Sequence, residues 1–324
     1  MKIGNVEIAG QVFLAPMAGI TNVAYRDFMK KFGVAVTYSE MVSDCGLIYG
    51  NKETYKYLET LPSERPVAIQ LFGGKKETLL QALQILQNGS YVYDFIDINL
   101  GCPVPKVTKT GAGAAWLKRE DELFEMMSAL VKESKTPVTA KIRLGWDENT
   151  INVEKIVSIL QDAGVSLITI HPRTRSQLYS GKADYLRIKD IKKIMRVPLV
   201  ISGDIFTLES AIEAQQITHA DAIMVARGAM GNPLLITQID KYLQRKEKIP
   251  NATLKEQCAF LREYALKLIA LKGETIAIRE LRGISPHFFK GYPNLKLMRV
   301  KLATEIKNFN DLELILHNVE TNML

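Results

Sequence analysis

The chain has no run of about 18 apolar residues, the length a membrane-spanning helix needs, so no membrane partner is expected. Its first residues, Met1-Lys2-Ile3-Gly4-Asn5-Val6-Glu7, have no apolar core of the signal-peptide kind. Cysteine is scarce: Cys45, Cys102 and Cys258 are odd in number, widely spaced and without a CxxC pair. That excludes a disulfide framework and a thiolate cluster, so no metal site is expected and a reducing cytoplasm is the expected location. No GxGxxG follows an early apolar run, which removes the fingerprint of a dinucleotide-binding sheet. What is present is ordinary globular composition, 324 residues with 47% hydrophobic and 24% charged. One barrel of about 250 residues and a small appendage fit that length.

The net charge of +7 is unevenly placed: residues 241–324 hold 15 Lys and Arg against 9 Asp and Glu. Nearly the whole excess therefore sits in the last quarter. A basic module beside a near-neutral one suggests an acidic partner, nucleic acid first, although solvated Lys-rich helices carry the same signal.

Eight short apolar, β-rich runs recur: Val12–Ala18, Ala35–Met41, Val67–Gly73, Phe95–Gly101, Val138–Gly145, Leu167–Arg173, Leu199–Ile205 and Ala222–Gly228. They read as strands covered on both faces. Amphipathic segments at 22–32, 76–87, 120–134, 152–163, 184–195, 207–215 and 233–244 predict helices between them. Residues 49–61 form a less regular link. This alternation predicts a (β/α)8 TIM barrel over residues 1–245. A polar link near 246–251 then leads to helical patterns at 254–272, 275–281, 295–306 and 312–318, with a turn at Gly291–Asn294. Residues 246–324 are thus expected to form a small all-helical C-terminal domain.

Chemistry in such a barrel gathers at the C-terminal strand ends. Those ends carry Pro16-Met17-Ala18, Gln70, Asn99 before Gly101-Cys102-Pro103, Lys141 with Arg143, His171 with Arg173, Ser202-Gly203-Asp204 and Ala226-Arg227. Buried polar groups without partners cost about 1–3 kcal/mol each, and one planar polar ligand would satisfy several together. Glycine turns after the seventh and eighth strands suit a phosphate. A planar head with amide edges and a phosphate tail describes FMN. Lys141 also admits a Schiff-base role, but Gln70, Asn99 and His171 make no evident proton-transfer set for aldol chemistry. On these residues alone Cys102 fits a buried structural cysteine as well as a reactive one.

The stretches Leu14–Thr21, Ser39-Glu40-Met41, Gln70–Gly73, Asp97–Val107, Gly111–Ala114, Lys141–Trp146, Arg173–Gln177, Tyr179-Ser180-Gly181 and Arg227–Pro233 resemble the tRNA-dihydrouridine synthases, with the bacterial branch most similar. The likeness continues more weakly through Arg279-Glu280-Leu281-Arg282. It implies a flavoenzyme that reduces the C5–C6 bond of uridine in tRNA, with tightly bound FMN and NADPH as reductant. It implies no stable protein partner. By that resemblance Pro16, Met17, Ala18, Gln70, Lys141, His171, Ser202, Gly203, Asp204, Ala226 and Arg227 meet the flavin. Cys102 becomes the catalytic acid on a mobile loop. Asn99, Lys106, Lys109, Arg143, Arg173, Arg175, Arg279 and Arg282 face the substrate or the tRNA. Two non-pyrimidine-tRNA alternatives stay open on sequence: an FMN barrel for a free pyrimidine, and a colourless RNA-binding relative. The chain departs from the family pattern at Ser202, usually Asn, at Pro172, and along Gly283–Phe289.

Overall fold

The computed structural model describes residues 1–322, so Met323 and Leu324 of the expected helical domain lie outside the described residues. Eight parallel strands form the barrel: β1 (Val12–Leu14), β2 (Thr37–Tyr38), β3 (Val67–Phe72), β4 (Phe95–Leu100), β5 (Val138–Arg143), β6 (Ile168–His171), β7 (Leu199–Ser202) and β8 (Ala222–Val225). Neighbours follow chain order, and β8 pairs with β1. The ring closes between β1 and β2 through one bridge, Phe13 to Val36. The second run is interrupted there. Only Thr37–Tyr38 pairs as β2, and Val42–Ser43 resumes against β3 after a break at Ser39-Glu40.

Alternation along the strands divides the core in two. Ile96, Ile98 and Leu100 of β4 and Val138, Ala140 and Ile142 of β5 face the surrounding helices. Inward positions are apolar at the N-terminal end, where Phe13, Tyr38, Phe95, Leu167, Val200 and Met224 plug the barrel. Toward the C-terminal end they turn polar. Register then sets Gln70 beside Asp97, Asn99 beside Lys141, and Arg143 beside His171. A short hairpin, Lys2–Ile3 with Val6–Glu7, covers the plugged end with Ile3 and Ile8. Its Gly4-Asn5 turn was the available signal, since Gly4 takes φ +56°.

The helix expected at 184–195 is instead two 3-10 turns, Tyr185–Ile188 and Ile191–Ile194. Tyr185, Ile188, Ile191 and Ile194 recur every third residue, the period of the tighter helix. The link at 49–61 is preceded by helix Asp44–Ile48 and contains Lys52–Lys56. Beyond the barrel the helices are Leu254–Lys272, Glu274–Ile284, Lys296–Thr304 and Phe309–Asn322, with a 3-10 turn at Ser285–Phe289.

This helical unit is fastened to the barrel. Tyr25, Phe28 and Phe32 of helix Val23–Lys30 and its C-terminal turn meet Tyr264 and Phe260 of helix Leu254–Lys272 at ring-centroid distances of 5.0–5.6 Å. Lys267 pairs with Asp27 at 2.7 Å on the same face. At Gly231, after β8, a side chain would strike the backbone of His287 and Phe288. The segment Gly283–Phe289 is therefore partly an inter-unit contact. Among the described residues no helix is long and apolar enough to cross a membrane.

Candidate active site

A cavity of about 420 Å³ opens at the C-terminal end of the strands. Pro16, Met17, Ala18, Asn99, Cys102, Lys141, Arg143, His171, Ser202, Gly203, Asp204, Ala226 and Arg227 all line it, as the strand-end reading expects. Of the expected residues, Gln70, Arg173 and Arg282 lie outside its lining. Gln70 lies below the cavity, fully buried, with its amide spent on Asp97 at 2.7 Å and Asn99 at 2.9 Å. Arg173 is 2% exposed and bound to Asp204 at 2.6 and 2.9 Å and to Gly181 O at 2.8 Å. Its donors are committed inside the protein. Arg282 donates to Ile306 O at 2.7 and 2.9 Å, tying helix Glu274–Ile284 to the link before helix Phe309–Asn322. The Asp204 carboxylate faces Arg173, so only its backbone is available for a phosphate. Burial alone would raise the Asp204 pKa, but Arg173 and the Ala183 amide hold it below the usual carboxylate range.

The loop after β1 is held by hydrogen bonds on both sides. Thr21 Oγ1 accepts from Met17 N at 2.9 Å and donates to Met17 O at 3.1 Å. Gly19 N donates to the buried carboxylate of Glu40. Arg26, itself buried, donates to Thr21 O at 2.7 Å and pairs with Glu64. Pro16–Ala18 is thus presented as a fixed backbone edge.

Cys102 follows β4 and is 9% exposed. Its amide donates to Asn99 Oδ1 at 2.8 Å, and its carbonyl accepts from Ala114 N at 3.1 Å. Gly113, at φ +59°, permits that approach, since a side chain there would strike Cys102. The region behind Cys102 is more ordered than a pliable loop: helix Pro105–Thr108 and the 3-10 turn Gly113–Lys118 occupy it. Burial raises the Cys102 pKa, only partly opposed by the Val104 amide, Arg143 and Lys141. The thiol is therefore protonated at neutral pH, suited to donate a proton rather than attack as thiolate.

Burial and the neighbouring Arg143 bring Lys141 down to about 8. Its ammonium makes no hydrogen bond or ion pair among the described residues. Burial, then Lys141, Arg143 and Arg173, hold His171 well below its ordinary value, so the ring is neutral. His171 Nε2 lies 3.3 Å from Arg173 Nη1. A guanidinium only donates, so Nε2 accepts and Nδ1 carries the proton. Gly203, at φ +114°, packs on that ring, where a side chain would come within 2.5 Å of His171 Cδ2.

The donor set fits an anionic planar group. The buried Arg143 Nε has no partner. Among the described residues, the amides of Gly203, Asp204, Arg227 and Gly228 donate no hydrogen bond, and all four residues line the cavity. Free amides at consecutive turns are a phosphate cradle. At the rim, Arg227 stacks on Tyr179 at 4.9 Å and on Phe206 at 5.5 Å. Sequence reasoning gave neither aromatic a role, although Tyr179-Ser180-Gly181 marked the place. Lys106 and Lys109 are exposed beside the Cys102 turn, and Arg175 stacks on Trp146 at 4.4 Å. Arg279 is exposed on the helical unit.

Comparison with known proteins agrees with this geometry. Residues 13–320 match the family model described as dihydrouridine synthase. A probable tRNA-dihydrouridine synthase of Rickettsia conorii is 36% identical over 295 residues, spanning 91% of this chain and 88% of that one. The tRNA-dihydrouridine synthase B of Pasteurella multocida is 34% identical, spanning 89% and 88%. Among solved structures, the old yellow enzyme homologue of Zymomonas mobilis superposes with TM-score 0.54 at 11% identity, over 79% of this chain and 94% of that one. At that identity the likeness is one of fold.

Proposed function

The chain belongs to the dihydrouridine synthase family, and from that premise we propose that it reduces the C5–C6 bond of uridine in tRNA, using FMN and NADPH. The observation that carries the cofactor is the joint presence of four undonated amides, an unpartnered Lys141 and an orphaned Arg143 Nε in one cavity. FMN would be held by the backbone edge Pro16–Ala18, by Lys141 and His171, and by the Gly203 and Gly228 turns at its phosphate. When bound, it would supply the hydride for C6 of the uracil. Cys102 holds a proton at Sγ and delivers it to C5. The overall change consumes one NADPH and one proton per uridine reduced. Arg143 and Asn99 border the remaining space, where the base enters. That base must leave its stack to reach the barrel mouth. With tRNA as the substrate, the cytoplasm is the proposed location.

Residues 1–245 serve as the catalytic barrel and 246–324 as the tRNA-holding unit. On the latter, Lys255, Arg279, Lys290, Lys296, Lys301 and Lys307 are exposed without ion pairs among the described residues. Arg262, Lys267 and Lys272 are committed to carboxylates. If six such cations meet phosphate, counterion release gives a log–log slope of affinity against salt of about −4 to −5. Filter binding across a salt series measures it, and a flat dependence would remove the helical unit from tRNA binding.

Lys141 gives a pH signature. Below about 8 it is an ammonium that attracts the anionic cofactor, and above that value it is neutral. FMN affinity is therefore expected to fall as pH rises through about 8, by up to about tenfold per unit. Lys141→Met is expected to bind FMN more weakly and without that step in a fluorescence titration. A step of the same size in the variant would assign the titration to another group.

A further inference from the structure

The barrel interior holds a line of hydrogen bonds that ends at the catalytic turn. Thr139 Oγ1 donates to Asp97 Oδ1 at 2.5 Å, and Gln70 Nε2 donates to Asp97 Oδ2 at 2.7 Å. Asn99 Nδ2 donates to Gln70 Oε1 at 2.9 Å. Asn99 Oδ1 then accepts from Cys102 N at 2.8 Å and Gly101 N at 3.1 Å. Asp97 and Gln70 are fully buried, so water cannot replace a lost partner at that end of the line.

We propose that Asp97 is a positioning residue, whose negative charge orients the amides of Gln70 and Asn99 and thereby latches the Cys102 turn. The inference rests on Cys102 being the proton donor, although the latch itself does not. A carboxylate only accepts, so Gln70 must turn its NH2 toward Asp97 and its carbonyl toward Asn99. Asn99 must then turn its NH2 toward Gln70 and its carbonyl toward the amides of Gly101 and Cys102. Reversing either amide would set donor against donor or acceptor against acceptor. The direction of the line is therefore set from both ends, by the buried charge of Asp97 at one and by two backbone amides that only donate at the other.

The charge is held against a desolvation cost. Burial lifts the Asp97 pKa to about 6, while Gln70, Thr139 and Lys141 oppose the rise. Tyr38 of β2 faces it as well, and its own pKa is raised by burial and by Asp97. Asp97 is thus ionised at neutral pH.

Asp97→Asn keeps the shape and removes the obligatory acceptor. An asparagine satisfies Thr139 and Gln70 in either amide orientation, so only the two backbone amides still set the direction and the line weakens. In the fraction of molecules where it reverses, Asn99 points NH2 at the Cys102 amide and the turn is released. The test is iodoacetamide labelling of the full-length protein at neutral pH, resolved peptide by peptide in a mass spectrometer. Exposed Cys45 standardises the reagent, and Cys258, buried in the helical unit, reports global opening. The expected result is Cys102 labelling about five- to tenfold faster in Asp97→Asn, the effect of one lost hydrogen bond, with Cys258 unchanged. Dihydrouridine formation falls by a similar factor in kcat, with KM for tRNA unchanged. Thr139→Val removes one of the two donors on Asp97 and is expected to give a smaller change of the same sign. It decides the matter if Asp97→Asn does not fold. Unchanged Cys102 labelling, or a rise matched at Cys258, would overturn the latch. Full activity of Cys102→Ala would overturn the acid assignment alone and leave the labelling result standing.

Discussion

Cys102→Ala is expected to keep its flavin and to oxidise NADPH, while dihydrouridine formation slows by about 10²–10⁴-fold, the usual worth of a positioned general acid. The expectation follows from the state of the thiol. Cys102 lines the cavity, burial keeps it protonated, and its backbone is fastened on both sides. Its competitors are few. His171 is held neutral, with its Nε2 turned to Arg173, and so is a poor source of a proton. Lys141, brought to about 8, is a readier proton donor than Arg143, brought to about 10 in the same cavity, so residual turnover in the variant should follow Lys141. Liquid chromatography of digested tRNA measures the product, and reductant consumption measures the flavin half separately. Wild-type product formation by the alanine variant would move the acid role to Lys141.

Arg26→Met is expected to lower stability by about 3–5 kcal/mol, because it strands Glu64 as an unpaired buried charge. Arg26 is 1% exposed and Glu64 0%, joined at 2.5 and 3.2 Å. In a chain of this size the melting temperature should fall by about 10 °C. A second effect comes from the same side chain. Arg26 also donates to Thr21 O at 2.7 Å, and Thr21 holds Met17. Loosening that edge should weaken cofactor binding. The double variant Arg26→Met/Glu64→Leu separates the two, since an apolar pair often replaces a buried ion pair without loss. Calorimetry should show much of the stability restored, while cofactor affinity stays low. Recovery of both together would mean that Arg26 acts on the flavin edge only through global stability.

The barrel was legible because strands covered on both faces leave apolar runs, and eight such runs alternate with amphipathic helices. The site's level was legible too, since polar residues cluster at one end of those runs. What the runs do not show is a side chain's partner. Gln70 reads as a cofactor ligand until Asp97 and Asn99 are seen to take both ends of its amide. Arg173 reads as an RNA contact until Asp204, 31 residues later, is seen beside it. Such pairings join residues far apart in sequence, and no local pattern announces them. The helix expected at 184–195 failed differently: its apolar spacing of three was present, but it was taken for the looser α-helical period. Glu40 and Thr21 were within recognised stretches, yet their work is on backbone amides of Gly19 and Met17, which sequence does not display.

On the proposed function, one cavity carries electrons from bound FMN to a tRNA uridine. The most direct measurement is a single turnover. The purified protein is reduced anaerobically with one equivalent of NADPH and mixed with tRNA lacking dihydrouridine. The flavin spectrum and the dihydrouridine content are then followed together. The account predicts a yellow protein whose bleached flavin recovers its colour on adding tRNA, with dihydrouridine appearing in equal amount. A colourless protein, or a reduced flavin that stays bleached with tRNA, would contradict it.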